Sequence, residues 1–132
     1  MQKKGFTLIE LLVVMVIMSV SLSLVLPLTV QQIDAAKYRA ERTKVVTFLN
    51  QYQSLSFFRA EAITLYASGR RLAAEYAGKT TELPLEYVTF EETTFQFTPN
   101  IVVETIDIHA FINEQPWRLV IQNETAEWFS TD

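Results

Sequence analysis

Polar and apolar positions divide the chain sharply. From residue 6 to residue 30 nearly every position is apolar, interrupted by Glu10 and by scattered Ser and Thr. As a helix rising about 1.5 Å per residue, this run reaches roughly 37 Å, enough to cross the hydrocarbon core of a bilayer. Beyond it the pattern changes. Residues 31–44 are polar around most of a helix girth. From Val45 apolar positions recur three and four apart: Val45, Phe48, Tyr52, Leu55, Ala62 and Tyr66, with Leu49 and Ile63 beside them. That spacing predicts one helix face turned towards a core. No glycine stands between Gly5 and Gly69 and no proline between Pro27 and Pro84. The reading is one long helix from about residue 6 to the mid-sixties, stopped at Ser68-Gly69.

The rest alternates on a shorter period. Residues 71–76 form a weak candidate strand before a Gly78-Lys79 turn, and Leu83-Pro84 runs into the next. Residues 85–90 and 94–98 follow, then Pro99-Asn100. Residues 104–112 come next, then a turn over residues 113–116, and residues 117–122 and 126–129 close the chain. Ile106, Ile108, Ala110 and Ile112 fall on one face, as do Trp117, Leu119 and Ile121. Alternation of this kind predicts an antiparallel sheet with one buried face, covered here by the helix. The expected class is α+β: a long N-terminal helix, membrane-spanning in its first half, packed by its second half on a small antiparallel sheet.

Charge adds a polarity to this layout. The formal net charge is −4, but residues 34–44 are basic, with Lys37, Arg39, Arg42 and Lys44 against Asp34 and Glu41. From Glu75 onwards only Lys79 and Arg118 face eleven acids. An acidic surface repels phosphate, which argues against nucleic acid as a partner of the distal part. At 132 residues one domain is expected. With no cysteine, disulfides, thiolate metal sites and cysteine nucleophiles drop out.

Lys3 and Lys4 precede the apolar run, so the positive-inside bias puts the N-terminus in the cytoplasm and the rest outside it. A secretory signal peptide is the competing reading. It fits poorly, because Ser19 to Ser23 are followed by further apolar residues and no small-residue cleavage site. Glu10 is out of place five residues into the run, where an ionised carboxylate costs roughly 2.5–3.5 kcal/mol on insertion scales. Either it reaches water at headgroup depth, or something rewards it. Pro27 removes a helix hydrogen bond, which means a bend or simple tolerance near the membrane exit.

Residues 5–14, Gly-Phe-Thr-Leu-Ile-Glu-Leu-Leu-Val-Val after two lysines, resemble the cleavage and methylation motif of type IV prepilins. The resemblance implies a leader of residues 1–5, a transmembrane segment of residues 6–30, and a stem helix with a globular head over residues 31–132. It implies that prepilin peptidase cuts between Gly5 and Phe6 and methylates the new amine of Phe6. Loss of Lys3 and Lys4 would lower the formal charge by two. It gives Glu10 a partner, the N-terminal amine of a neighbouring subunit, and gives Pro27 the role of a helix kink. The implied partners are prepilin peptidase, other pilins or pseudopilins, and an inner-membrane assembly platform. The implied location is the inner membrane, single-pass with a periplasmic head, and then the filament. Arg59-Ala60-Glu61-Ala62-Ile63, Leu83-Pro84 and Phe95-Gln96-Phe97-Thr98-Pro99-Asn100 are similar to minor pseudopilins of the GspH/FimT type, although Ile101 stands where that family often has Gly.

The function expected is a minor pilin or pseudopilin of a type II secretion pseudopilus or type IV pilus. The alternative is a competence minor pilin that binds DNA. No catalytic residues, metal or cofactor are expected. His109 is the single histidine and reads as a surface or edge residue. Glu91-Glu92 has neither the alternating acids nor the glycine turn of a calcium loop and reads as a solvated strand end. Trp117, Trp128, Phe95 and Phe97 read as sheet packing. There is no nucleophile elbow, phosphate loop or zinc motif.

Overall fold

The structure, a computed structural model, describes residues 5–99, 105–122 and 125–131, with the side chains of residues 26–28 excepted. Lys3, Lys4, Asn100, Ile101 and Glu104 and the side chain of Pro27, on which several expectations fall, lie outside the described residues. The chain divides into two compact units, Met1–Lys37 and Tyr38–Asp132. One helix, α1 (Leu8–Arg59), supplies elements of both.

In the first unit every described residue from 5 to 33 is exposed. Among the described residues none covers this apolar surface. The hydroxyls of Ser19, Ser21, Ser23 and Thr29 each donate to the carbonyl four residues back, at 2.8–3.1 Å. Their polar hydrogens are therefore satisfied inside the helix, as an apolar solvent requires.

In the second unit, α1 buries one stripe: Val45, Phe48, Leu49, Tyr52 and Ser56, spaced three and four apart. The stripe expected from Val45 onwards is present, but it ends sooner. Helix α1 stops at Arg59, and Ile63 and Tyr66 belong to a strand. The stop is made without glycine. Ala60 takes a left-handed φ of 55°. Its N–H donates to Phe57 O and that of Glu61 to Ser56 O, both at 3.3 Å. This is the paired capping pattern that closes many helices, usually on Gly. The Ser56 hydroxyl locks it, standing 2.6 Å from Glu61 O and 3.0 Å from Phe97 O. Sequence spacing misled here because Ile63 and Tyr66 lie three apart, yet Ile63, Leu65 and Ala67 alternate as buried strand positions.

Among the described residues seven strands follow: β1 (Ile63–Gly69), β2 (Arg71–Tyr76), β3 (Lys79–Pro84), β4 (Val88–Phe97), β5 (Ile106–Ile112), β6 (Gln115–Gln122) and β7 (Thr125–Ser130). They form one antiparallel sheet in the order β3-β2-β1-β4-β5-β6-β7. Strands β1 and β3 were not expected, and β4 is one strand where two were read. Val88 and Phe90 point inward, and so do Phe95 and Phe97, which breaks the two-residue period. An extra residue at Glu91-Glu92 makes up the difference, and the β1–β4 register shifts there, between Ala67 and Gly69. The expected strand end at Glu91-Glu92 is thus a bulge within a continuous strand.

Hairpin turns account for the remaining differences. Tyr76 pairs with Lys79 and Ile112 with Gln115, leaving two-residue loops. Ala77 and Gly78, like Asn113 and Glu114, all have φ between 51° and 72°. Two consecutive left-handed residues match the right-handed twist of the flanking strands. The hydrophobic core lies between α1 and the inner face of the sheet, with Leu49, Ile63, Leu65, Ile108, Leu119 and Ile121 fully buried. Each such side chain stabilises the fold by about 1.5–3 kcal/mol.

Candidate processing and assembly site

Gly5, Phe6 and Glu10 fall together at the start of α1. Gly5 and Phe6 precede the helix and are exposed, Phe6 at 77%. Nothing stands within 4 Å of a side chain added at Gly5, and its backbone is not left-handed. The chain's own fold thus does not demand glycine there.

Thr7 is the cap residue. Its carbonyl accepts from the Glu10 and Leu11 amides at 3.1 and 3.2 Å. Its hydroxyl accepts from the Glu10 amide at 3.3 Å, and the Glu10 carboxylate accepts from the Thr7 amide at 3.4 Å. This reciprocal pair is a capping box. It went unread in the sequence although its signature, Thr7-x-x-Glu10 ahead of an apolar run, is plain there. In the single chain Glu10 therefore holds the first helical turn, and a negative charge there complements the helix dipole. Its carboxylate remains exposed, with room for a further partner. Pro27 lies 17 residues further on, within the uninterrupted span of α1.

Among the described residues of the head, the charged residue most fully buried is one the sequence did not single out. Glu41 is only 7% exposed. Its carboxylate accepts three consecutive backbone amides, from Glu86 at 2.5 Å and from Tyr87 and Val88 at 2.7 Å. These contacts pin α1 to the entry of β4. At the next residue, the Arg42 guanidinium stacks 4.4 Å above the Trp117 ring. Partial burial, and then the like charge of Arg39, hold its pKa below the ordinary guanidinium value. Trp128 donates its ring N–H to Arg42 O at 3.3 Å and stacks on Phe90 at 6.1 Å. Phe95 and Phe97 are buried in the core. The four aromatic residues read as packing do pack.

The remaining candidates are not brought together. His109 is exposed on the outer sheet face, opposite Arg118. Arg118 in turn pairs with Asp107 at 3.1 Å. On the same outer face, Tyr66 donates to Glu75 at 3.1 Å, and this bond raises the Tyr66 pKa. Among the described residues no group of three or more His, Cys, Asp or Glu is placed to hold a metal ion.

Residues 1–26 match the family described as the prokaryotic N-terminal methylation motif. The match takes in Gly5, Phe6 and Glu10. It marks the N-terminus as that of a prepilin-type substrate, type IV pilin-like in kind, and α1 is long and apolar enough to cross a membrane. No curated protein and no solved structure matches the chain.

Proposed function

We propose that the chain is a minor pilin or pseudopilin, cut between Gly5 and Phe6 by prepilin peptidase, methylated on Phe6, and assembled into a type II secretion pseudopilus or a type IV pilus. The observation that carries this is the placement of Gly5, Phe6 and Glu10 on one exposed helix start inside a matched methylation motif. The leader is residues 1–5, and residues 6–30 span the inner membrane with the head in the periplasm. After cleavage the Phe6 amine is a cation beside the membrane surface. The Glu10 carboxylate of a neighbouring subunit meets it in a medium where an unpaired charge is penalised. The exposed apolar face of residues 6–25 supports packing against other subunits once there. The resemblance of the head to the GspH/FimT type belongs to this proposal, as does a bend at Pro27.

The test is processing and incorporation in cells. Gly5→Leu is expected to accumulate at precursor size. Because the fold leaves room at Gly5, such a block reports on the protease and not on misfolding. Glu10→Ala is expected to be cleaved normally but to enter filaments poorly. A mature-size Gly5→Leu product would overturn the cleavage assignment, and normal incorporation of Glu10→Ala would overturn the pairing. An in-frame deletion then separates the systems: secretion lost with pili intact means a pseudopilin, and the converse means a minor pilin.

A further inference from the structure

The sheet is not closed along its whole length. Strand β4 runs to Phe97, but only its first residues, Val88, Thr89 and Phe90, pair with β5, opposite Ile112, Phe111 and Ala110. Past the bulge at Glu91-Glu92, β4 keeps its pairing with β1 as far as Phe97, and β5 keeps its pairing with β6 back to Ile106. Their facing edges, residues 92–97 of β4 and 106–109 of β5, therefore have no strand beside them among the described residues. In an antiparallel strand alternate residues turn both N–H and C=O to the same side. Each free edge thus carries backbone donors and acceptors with no ladder partner, which is the template for strand addition.

A cleft of about 1190 Å³ opens beside these edges. It is lined among the described residues by Thr94 and Phe95 of β4, Ile106 of β5, and Gln53, Phe57 and Phe58 of α1. Phe57 and Phe58 are 65% and 82% exposed, and large apolar side chains left open beside a free edge mark an interaction site. The charged residues of the two edges and bulge, and of the adjoining end of α1, are Glu61, Glu91, Glu92 and Asp107 against Arg59. Asp107 is already held by Arg118 at 3.1 Å. The balance is acidic.

We propose that this cleft receives an extended strand of a different protein chain, apolar at alternate positions and basic at its ends. Main-chain hydrogen bonds to the free edges supply affinity, and the apolar positions face Phe57 and Ile106. Because β4 and β5 run antiparallel to each other, a strand between them is antiparallel to one and parallel to the other; β4, with the longer free edge, takes the antiparallel pairing. An occupant paired on both sides must bring a strand free on both edges. Each of the seven described strands of this chain is already paired on at least one side, so a second copy does not offer one. The inference goes beyond the filament reading and does not rest on it.

The test uses the full chain in lipid nanodiscs and a labelled octapeptide of alternating threonine and valine with lysine at both ends. Saturable binding by fluorescence anisotropy is expected, with amide exchange slowed within residues 92–97 and 106–109 and unchanged in β3 and β7. Methylating the valine amides of the peptide removes its donors along one edge and should weaken binding by at least about tenfold. Phe57→Ser combined with Phe58→Ser should weaken it several-fold at an unchanged thermal midpoint. No binding, or binding indifferent to the methylation, would overturn the proposal. So would alternate amides of residues 92–97 that already exchange slowly in the chain alone, since its own residues would then cover the edge. Dimers of the chain that the peptide disperses would make a second copy the occupant and overturn it as well.

Discussion

Glu41 is a charge carried into the joint between a helix and a sheet, and it is held there by three backbone amides. Removing the carboxylate leaves those donors without their acceptor, the Val88 amide among them deep in the fold. An unsatisfied buried donor costs about 1–3 kcal/mol. Glu41→Ala should therefore lower head stability by about 2–4 kcal/mol in denaturant unfolding. A loss below half a kcal/mol would show that water replaces the side chain at no cost. Ala60 points the other way. Its φ of 55° is strained for a residue with a Cβ and natural for glycine. Ala60→Gly is expected to stabilise the head by about 0.5–1 kcal/mol, read as a rise in thermal midpoint. A fall would contradict the left-handed cap.

At the scale of elements, β4 has the greatest consequence. Its bulge at Glu91-Glu92 lets Val88 and Phe90 share a face with Phe95 and Phe97. Through it one strand serves both halves of the sheet: its N-terminal part pairs with β5 and its C-terminal part with β1. Deleting Glu92 would remove the bulge and leave Phe90 and Phe95 an even number of positions apart, so both inward pairs stay on one face of a regular strand. The expected outcome is a head that keeps its cooperative unfolding transition and its near-ultraviolet dichroism. Loss of either would show that the sheet needs the bulge itself.

For the whole molecule, the core of the head draws its helical part from Val45, Phe48, Leu49 and Tyr52, all beyond the apolar run. Among the described residues no fully buried core side chain comes from before position 45, and Tyr38 packs against the core from its edge. A chain starting at residue 31 should therefore be soluble, monomeric and folded, with the same thermal midpoint as the full chain in detergent. Aggregation, or a midpoint many degrees lower, would mean that the N-terminal segment contributes to the head. The acidic distal surface makes a mobility shift with DNA unexpected for this fragment even at low salt.

What was legible in the sequence was whatever depends on composition and period. The membrane-length run and the amphipathic stripe from Val45 follow from apolar surface needing one kind of solvent, while the prepilin motif was legible through its resemblance to a known family. So do the alternating strands β5 and β6, whose buried faces are those read from Ile106–Ile112 and from Trp117, Leu119 and Ile121. The capping box at Thr7 and Glu10 was equally local and could have been read. What only the tertiary structure decided depended on contacts between distant residues. The helix ends at Arg59 because Ser56 finds Phe97 O and because Ile63 and Leu65 gain more from the sheet than from another helical turn. Strand β1 sits inside the sheet, between β2 and β4, although its sequence suits a helix face as well. Glu41 is buried because three amides from 45–47 residues away converge on it. Such pairings have no local signature: a carboxylate in a polar helix looks solvated until the fold brings its donors to it.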